Sequence, residues 1–413
     1  MQTDVLIIGN SAAGLSAAET IRKYDFDKKI TIVSKESGPA YSRVLLPYVL
    51  RGKLDYDNLF IRDGNYYIEN NFYYIEGLIV SVNTESKTAV CESSEIIKYD
   101  SLLIATGSNP VKPPIPGIES EGVYHMWTKD DLDHLMPHFN KDKRVVVIGS
   151  GFVSLQAAWS AVCKGLKVTV IELADRIMPS VIDNKGAEIL TGKIKECGVD
   201  LRIDTLTLAI KKRDDGTFVI DLKDQSSIEA DFIIVGTGVK PNTSFLEETD
   251  IDIDRGICVN RYMQTSVDDV YAAGDVAGGP TAFGDQHQIH ALWPTAIEMG
   301  KVAGMNILGK QFVYEGSLNM NVTQMYDMTV ASMGQFTDNL DCDEHLMPES
   351  SGMGYLKICA KDDQIIGACL IGKTSAMKIF GMLRPVIRLN KKLKVDITRL
   401  ESDLQKLTYG VAH

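Results

Sequence analysis

Two stretches of this sequence repeat one pattern, and that repetition limits the folds available to the chain. In each stretch a short apolar run ends in a turn containing glycine, a helix-forming segment follows, and a second apolar run comes after it. These segments are residues 5–8, 15–21 and 29–33 in the first stretch, and 144–148, 155–163 and 167–171 in the second. Strand–helix–strand units build parallel sheets with helices on both faces. The sequence therefore predicts an α/β fold with two Rossmann-like dinucleotide-binding domains.

Both turns have the small residues that let a backbone approach a pyrophosphate at a helix N-terminus. The patterns are G-x-S-x-x-G and G-x-G-x-x-S, formed by Gly9, Ser11, Ala12, Ala13 and Gly14, and by Gly149, Gly151, Phe152, Val153 and Ser154. We expect Ser154, which stands where glycine or alanine is usual, to loosen the contact between helix and strand slightly.

An acidic residue follows the second turn at the spacing typical of NAD sites. Glu172 comes about 20 residues after Gly149, where a carboxylate accepts from an adenosine ribose 2′-hydroxyl and repels a 2′-phosphate. The second turn therefore favours NAD over NADP. Arg176 lies nearby, and we expect it to be a solvated surface arginine.

Charge and cysteine content exclude several classes of protein. The chain has 43 basic and 55 acidic residues and a formal net charge of −12, which argues against a protein that coats nucleic acid or lies on an anionic membrane. Its seven cysteines are scattered and form no C-x-x-C pair, so we expect neither a disulfide framework nor a metal site. A predicted strand begins at residue 3, and no apolar stretch approaches the roughly 18–20 residues of a transmembrane helix. We therefore expect no signal peptide and a cytoplasmic protein.

Three further motifs follow in a fixed order and complete a set of five. They are a strand ending in Ala105, Thr106 and Gly107, a strand ending in Gly274 and Asp275, and a helix opened by Trp293, Pro294, Thr295 and Ala296. Over nearly the whole chain, the five motifs resemble those of the FAD-dependent pyridine nucleotide-disulfide oxidoreductase superfamily.

The resemblance implies a glutathione-reductase-like architecture. It places a discontinuous FAD-binding domain at residues 1–115 and 244–316, an NAD(H)-binding domain at 116–243, and a C-terminal α+β interface domain at 317–413.

The resemblance also implies which residues contact each cofactor. Asp275 would hold the flavin ribitol, and the positive N-terminal end of the Trp293 helix would point at the flavin pyrimidine. The FAD set is Gly9, Ser11, Ala12, Ala13, Gly14, Glu36, Arg43, Ala105, Thr106, Gly107, Gly274, Asp275, Pro294, Thr295 and Ala296. The NAD set is Gly149, Gly151, Phe152, Val153, Ser154, Glu172, Gly236 and Gly238.

Two positions depart from the family pattern. Ser34 stands where an acid is usual, and Glu36, two residues later, is the candidate for the FAD ribose. Gln156 stands where many relatives have glutamate. A neutral amide still forms hydrogen bonds, so we retain NADH as the expected substrate.

Within the superfamily, residues 41–48 narrow the choice of reaction. This segment, Y-S-R-V-L-L-P-Y, resembles that of NADH:rubredoxin reductases and of the flavin domain of assimilatory nitrite reductases. Relatives with a redox cysteine carry it at the position of Val44, and valine forms neither a thiolate nor a disulfide. We therefore predict no catalytic side chain: hydride passes between the nicotinamide C4 and the flavin N5, and the protein supplies alignment.

Without a cysteine relay, the second electron partner is expected to be external. Our hypothesis is an iron–sulfur carrier: a rubredoxin, a ferredoxin, or a ferredoxin-like subunit of a larger redox complex. The chain would then act as a homodimer or as one subunit of such a complex. Three alternatives remain: a flavin-only NADH oxidase, a cysteine-free disulfide or persulfide reductase, and a non-enzymatic flavoprotein scaffold or redox sensor.

Two side-chain clusters allow a functional and a structural interpretation. Asp285, His287 and His290 resemble a metal site, but we interpret them as packing residues in a loop before the Trp293 helix. A basic cluster could dock an acidic iron–sulfur protein or could simply be a solvated helix face or a dimer contact. Its members are Lys373, Lys378, Arg384, Arg388, Lys391, Lys392 and Lys394.

Overall fold

The computed structural model of the protein describes residues 1–347, 354–396 and 398–409. Their contacts divide the chain into two compact units. Unit 1 comprises Met1–Leu45, Asp55–Asn109 and Val239–Leu318, and unit 2 comprises Leu46–Leu54, Pro110–Gly238 and Asn319–His413. The predicted division into three domains stays a prediction, and its third part includes residues outside the described ranges. None of the described helices has the length and hydropathy needed to cross a membrane.

Unit 1 is built on a seven-stranded sheet that carries the first predicted strand–helix–strand unit. Its strands lie in the order Phe72–Glu76, Ile30–Ser34, Gln2–Ile8, Ile96–Ile104, Thr88–Cys91 and Ile79–Asn83, and Val270–Ala272 pairs with Ile96–Ile104. In the parallel pairs, Ile8 lies opposite both Val33 and Ile104, and Ala272 also lies opposite Ile104. The carboxyl ends of these strands therefore meet at one edge of the sheet.

Two helices of unit 1 pack against each other through small residues. They are Ala12–Tyr24 and Trp293–Ile307. A Cβ added to Gly300 would lie 2.2 Å from the Ala13 carbonyl oxygen, so only glycine permits this approach. Shorter helical turns and the strands of a small second sheet complete the unit: Arg43–Leu45, Tyr56–Leu59, Tyr66–Glu69 and Ser244–Leu246, and Ile257–Cys258, Ala277–Thr281 and Gly284–Gln288.

Unit 2 contains the second predicted strand–helix–strand unit. Its parallel sheet has the order Asp200–Arg202, Lys167–Ile171, Arg144–Ile148, Phe232–Val235 and Val123–Tyr124. The accompanying helices are Leu46–Leu50, Lys129–Leu135, Phe152–Cys163 and Asn184–Glu196, with a 3-10 turn at Met136–His138. An antiparallel sheet of Thr207–Lys212, Phe218–Leu222 and Ser227–Ala230 buries Ile210 and Phe218 against the parallel sheet. The predicted α/β fold is confirmed. Short strands at Ser108–Pro110 and Val239–Pro241 mark two of the places where the chain passes from one unit to the other.

The C-terminal part of unit 2 forms an antiparallel sheet and two helices among the described residues. The strands have the order Met320–Met325, Met328–Gly334, Gln364–Gly372, Gly354–Lys361 and Asp343–Leu346. After a 3-10 turn at Thr374–Ala376, the helices are Met377–Arg388 and Leu400–Tyr409. The predicted hairpin of residues 355–359 and 365–371 is confirmed. The helix predicted for residues 375–392 is shorter, because Asn390 has a left-handed φ of 47°.

Candidate functional site

The first glycine turn brings strand, turn and helix into close backbone contact. Gly9 has a φ of 120°, and an added Cβ would lie 2.1 Å from the carbonyl oxygen of Ala105. A Cβ on Gly14 would lie 2.0 Å from the Gly9 carbonyl oxygen. Ser11 precedes the helix Ala12–Tyr24 and makes no side-chain cap bond within the described residues. The helix N-terminus therefore keeps N–H groups for an anion such as a pyrophosphate.

The Gly274-Asp275 motif lies beside this turn. Gly274 has a φ of 82°, and its added Cβ would lie 3.1 Å from the Ala13 Cβ and 3.6 Å from the Ala296 Cβ. Helix Trp293–Ile307, which contains the predicted residues Pro294, Thr295 and Ala296, thus begins next to the same motif. Four motifs far apart in sequence converge at this sheet edge.

Asp275 is a largely buried carboxylate with spare hydrogen-bonding capacity. Its Oδ2 accepts from the Ser108 hydroxyl at 3.3 Å. Burial raises the pKa of the Asp275 carboxyl, and the Ser108 hydrogen bond and the Arg43 charge oppose that rise. A buried carboxylate that accepts one long hydrogen bond is suited to the hydroxyls of a ribitol chain. The cradle and this acceptor fit FAD.

The Ala105-Thr106-Gly107 turn is fixed by a residue that the sequence did not single out. The Thr106 hydroxyl donates to the Asn242 carbonyl oxygen at 2.9 Å, and the Asn242 amide donates to the Thr106 carbonyl oxygen at 2.9 Å. Gly107 has a φ of 66° and accepts from the Asn242 N–H at 3.0 Å. Asn242 therefore holds the turn by three hydrogen bonds.

Glu36 is held by two neighbours at the end of the second strand. Its carboxylate accepts from the Tyr41 hydroxyl at 2.5 Å and forms an ion pair with Arg43. The Ser34 hydroxyl donates to the Glu36 carbonyl oxygen at 2.9 Å, so the serine at the usual acid position fixes the Glu36 backbone. Contact between Glu36 and the FAD ribose stays a prediction.

Sequence reasoning missed Asn10 and Tyr67. Asn10 Nδ2 and the Tyr67 hydroxyl oxygen are 2.7 Å apart, and the Ala40 N–H donates to that hydroxyl at 2.9 Å. Burial raises the pKa of Tyr67, which keeps its hydroxyl protonated at neutral pH. The only feature of the sequence that could have indicated this contact is the polar residue Asn10 inside the first glycine turn. Tyr67 itself lies in a short helix 57 residues away.

The second glycine turn has the same form in unit 2. Gly149 has a φ of 102°, and an added Cβ would lie 2.4 Å from the Gly236 carbonyl oxygen. Ser154 donates its hydroxyl to that same carbonyl at 2.8 Å and is fully buried. The expectation that Ser154 loosens the contact was wrong, because its hydroxyl bonds the helix to the end of the strand. Gly238, with a φ of 109°, accepts from the Val111 N–H at 2.9 Å.

The helix after the second turn has an open N-terminus. It begins at Phe152, with Val153 next, and its N-cap residue is Gly151, which has no side chain to cap the first N–H groups. Its N–H groups suit the pyrophosphate of NAD.

Glu172 lies at the end of the next strand with both carboxylate oxygens engaged. Oε2 accepts from the Ser150 hydroxyl at 2.6 Å, and Oε1 accepts from the Ala174 N–H at 2.8 Å. The acid predicted to bind a ribose is thus held by the turn itself.

Arg176 is not the solvated side chain that was expected. Its Nη2 donates to the Pro179 carbonyl oxygen at 2.9 Å and lies 3.9 Å from a carboxylate oxygen of Asp338. Its side chain is 27% exposed, because the loop folds around it.

Comparison with known proteins assigns the family. Residues 3–300 match the family described as pyridine nucleotide-disulphide oxidoreductase, and residues 320–383 match the rubredoxin NAD⁺ reductase C-terminal domain. The chain belongs to the pyridine nucleotide-disulphide oxidoreductase family. The resemblance found in the sequence is confirmed, and the protein is a flavoprotein oxidoreductase that uses FAD and NAD(H).

Similar proteins are named for different reactions. The oxidoreductase is 32% identical over 400 residues to nitrite reductase [NAD(P)H] of Bacillus subtilis, covering 95% of this chain but 48% of that protein. It is 30% identical over 338 residues to the NADH-dependent phenylglyoxylate dehydrogenase subunit epsilon of Aromatoleum evansii, covering 81% and 80%. The solved structure of an NAD-dependent persulfide reductase from A. fulgidus matches with a TM-score of 0.88 and 28% identity, covering 98% of this chain and 84% of that one. Family membership alone therefore leaves the electron acceptor open.

Both ends of the Gln156 amide in this oxidoreductase form hydrogen bonds with neighbouring residues. Its Oε1 accepts from Arg51 Nη1 at 2.9 Å, while its Nε2 donates to the Thr323 hydroxyl at 2.5 Å and to the Gln324 carbonyl oxygen at 3.1 Å. A glutamate has no N–H for the carbonyl. The departure from the family pattern therefore has a local physical reason.

Val44, which the resemblance places at the position of the redox cysteine, is an exposed valine. Val44 lies in the turn Arg43–Leu45 and is 54% exposed. Cys91, Cys359 and Cys369 are buried, and burial raises the pKa of each thiol, that of Cys359 to about 12. These three thiols carry little thiolate at neutral pH, so they are poor nucleophiles.

The histidine cluster is dispersed. His287 lies in the strand Gly284–Gln288 rather than in the loop that was predicted, and it is exposed. His290 Nδ1 lies 2.6 Å from the Ser317 hydroxyl, and Asp285 accepts from Arg261 at 2.7 Å. Across the part of the chain that the structure describes, no group of three or more metal-ligating side chains is placed to hold an ion.

The basic cluster is partly neutralised. Lys378 forms an ion pair with Glu401 at 2.6 Å, and Lys391 donates to the Leu407 carbonyl oxygen at 2.9 Å. Lys373, Lys392 and Lys394 are exposed. Docking at this cluster stays a prediction.

Proposed function

We propose that this chain transfers electrons between NADH and an external iron–sulfur carrier, either a rubredoxin, a ferredoxin or a ferredoxin-like subunit of a larger complex. The observation that carries the proposal is the exposed Val44, a residue without a thiol, where the resemblance places the redox cysteine. A chain without a thiol at that position needs another route by which electrons leave the flavin. The likeness of residues 320–383 to a rubredoxin NAD⁺ reductase C-terminal domain supports a protein carrier as that route.

The FAD site and the NADH site have different roles in the proposed reaction. Bound FAD would supply the capacity to accept a hydride from NADH and to release electrons singly. Asp275 and the Gly9–Gly14 turn would hold FAD, while Glu172 and the Gly149–Ser154 turn would hold the adenosine half of NADH. The protein contributes alignment and electrostatics, since no side chain is required to form a covalent bond.

The acceptor is tested by comparing rates from one reduced enzyme. The protein is reduced with NADH in a stopped-flow instrument and then mixed with oxidised rubredoxin, ferredoxin, oxygen, coenzyme A persulfide or ferricyanide. We expect a protein carrier to react with a second-order rate constant of about 10⁵–10⁷ M⁻¹s⁻¹, the usual range for specific protein association. Oxygen and persulfide should react more slowly, and ferricyanide reports that the flavin is intact.

Each alternative function has its own outcome. Faster reduction of oxygen or of persulfide than of either carrier would replace the proposal with an oxidase or a persulfide reductase. Failure of NADH to reduce the flavin would indicate a scaffold or sensor.

Cysteine modification gives an independent test. Protein treated with N-ethylmaleimide under native conditions should keep its NADH:ferricyanide and carrier activities, because no thiol takes part in the proposed route. Loss of activity in proportion to the modification of one cysteine would contradict this route and favour a disulfide reductase.

A further inference from the structure

Ser150 occupies a buried position between the two glycines of the second turn. It is 1% exposed, and its hydroxyl donates to Glu172 Oε2 at 2.6 Å. The Ser150 Oγ in turn accepts from the Met178 N–H at 3.2 Å. Met178 has a left-handed φ of 48°, a backbone conformation that residues other than glycine rarely adopt. One hydroxyl therefore joins the turn, the strand end and the loop beyond it.

The hydrogen bonds to Glu172 leave it one open direction on each oxygen. A carboxylate has about four lone-pair directions, two on each oxygen. Ser150 takes one on Oε2, and the Ala174 N–H takes one on Oε1. Two lone-pair directions therefore remain, one on each oxygen, and an adenosine ribose has two neighbouring hydroxyls to donate to them.

We propose that Ser150 is a positioning residue that orients the Glu172 carboxylate and thereby sets the preference of this enzyme for NAD(H) over NADP(H). The proposal rests on Glu172 as the ribose acceptor and is independent of the electron acceptor proposed above.

A held carboxylate and a free one act differently on the two nucleotides. Held by Ser150 and Ala174, Glu172 presents its oxygens to a 2′-hydroxyl and cannot turn away from a 2′-phosphate, whose like charge it opposes. Without the Ser150 hydroxyl, the terminal torsion of Glu172 is restricted at one oxygen only, and such torsions are broad. Removal of the hydroxyl therefore weakens binding of the diol and relieves exclusion of the phosphate.

The neighbouring cation does not compensate for this charge. Arg176 donates to the Pro179 carbonyl oxygen and lies near Asp338. Discrimination at the ribose therefore depends on how Glu172 is held.

The test uses ligands that bind without turnover. Dissociation constants for ADP-ribose and 2′-phospho-ADP-ribose are measured by calorimetry on the FAD-loaded, oxidised protein. The variants are Ser150→Ala and Glu172→Ala. The matched control is Ser160→Ala, which removes another fully buried serine hydroxyl from the same unit, bonded to the Pro47 and Gln156 carbonyl oxygens.

Opposite effects on the two ligands are expected. Ser150→Ala should raise the Kd of ADP-ribose about fivefold to tenfold, the usual net effect of one lost hydrogen bond, and should lower or leave unchanged that of 2′-phospho-ADP-ribose. KM for NADH should rise with it, while kcat with ferricyanide stays unchanged. Ser160→Ala should leave the ratio of the two dissociation constants as it is in the wild type.

Three results would overturn the proposal. An equal rise in both dissociation constants would assign Ser150 a purely structural role. No change in either would show that its hydroxyl does not position Glu172. A Glu172→Ala variant with the wild-type ratio would remove the premise, whatever the electron acceptor proves to be.

Discussion

The two glycine turns share a sequence pattern, but their third positions are closed by different chemistry. In unit 1, Gly14 lies so close to the Gly9 carbonyl oxygen that an added Cβ would be 2.0 Å away. In unit 2, Ser154 fills the equivalent place and donates its hydroxyl to the Gly236 carbonyl oxygen at 2.8 Å. The same pattern of small residues therefore closes the two turns in different ways, in unit 1 through the absence of a side chain and in unit 2 through a hydrogen bond.

The acids beyond the two turns differ in the same way. Glu36 is held by the side chains of Tyr41 and Arg43, which come later in the chain, and the Arg43 guanidinium compensates its charge. Glu172 is held by Ser150 of its own turn and by a backbone N–H, so its negative charge has no cation among these partners. The unit 2 acid therefore meets no counter-charge among these partners, which is the arrangement that the proposed nucleotide discrimination requires.

The largest expected effect comes from filling the Gly14 position. Gly14→Ala should destabilise the protein by more than about 3 kcal/mol and abolish FAD retention, because the new methyl overlaps a backbone oxygen. Helix propensity favours alanine by only about 1 kcal/mol, so the overlap dominates. Thermal unfolding and the flavin absorbance of the purified protein measure both effects.

The control is another helical glycine with space around it. A Cβ on Gly192, in the helix Asn184–Glu196, would have no other atom among its described neighbours within 4 Å. Gly192→Ala should stabilise the protein by up to about 1 kcal/mol. Equal effects of the two substitutions would show that helix propensity rather than steric exclusion governs Gly14.

A buried charge cluster lies beyond Glu172, at the start of the next helix. Asp183 caps the helix Asn184–Glu196, is 1% exposed, and accepts from Lys357 at 2.9 Å and from the Tyr355 hydroxyl at 2.5 Å. Burial alone would lower the pKa of Lys357, but its hydrogen bonds and charge interactions with Asp183 and Glu344 raise it overall. Lys357 is therefore charged at neutral pH.

Lys357→Met should destabilise the protein by about 3–5 kcal/mol, because it leaves the buried Asp183 charge without its counter-ion. Lys378→Met removes an exposed lysine that is paired with Glu401 and should cost less than about 1 kcal/mol. Denaturant unfolding monitored by circular dichroism gives both values. A cost below 1 kcal/mol for Lys357→Met would mean that water reaches Asp183.

Replacement of Asp275 should affect cofactor binding and protein stability in opposite directions. Burial raises the pKa of its carboxyl, so the folded state favours the protonated form. Ionisation of Asp275 therefore lowers the stability of the folded state once the pH exceeds about 4, the ordinary pKa of an aspartate. Asp275→Asn should weaken FAD binding about tenfold or more, the range for a charge-assisted hydrogen bond. It should also raise the Tm of flavin-free protein at pH 7.

The pH dependence gives the sign of the Asp275 effect. The Tm difference between Asp275→Asn and wild type should shrink as the pH falls towards 4, because wild-type Asp275 is then protonated as well. Asp268→Asn, at an exposed carboxylate of the same unit, should change neither the Tm nor flavin affinity. A Tm difference for Asp275→Asn that is constant from pH 4 to 7 would contradict the assigned cause.

The fold was largely predictable from the sequence, whereas the contacts that hold the site were not. Apolar runs and glycine turns predicted both strand–helix–strand units, because these patterns depend on neighbouring residues and on backbone sterics. The partners of Asn10 and Asp183, by contrast, are Tyr67 and Tyr355, which lie 57 and 172 residues away. Such pairs depend on the register of whole elements. Ser154 was misjudged because size alone does not show which acceptor its hydroxyl meets.

The smallest expected effect concerns Ser154 and decides whether its hydroxyl or its bulk closes the second turn. Ser154→Ala keeps the Cβ but leaves the Gly236 carbonyl without that donor, and should cost about 1 kcal/mol of unfolding free energy. Ser154→Gly removes the Cβ as well and should cost roughly another 1 kcal/mol through helix propensity. Stepwise losses in this order, measured by denaturant unfolding, would support closure by the hydrogen bond. If Ser154→Ala were as stable as the wild type, steric fit would govern this turn as it governs Gly14, and the difference between the two turns would reduce to residue size.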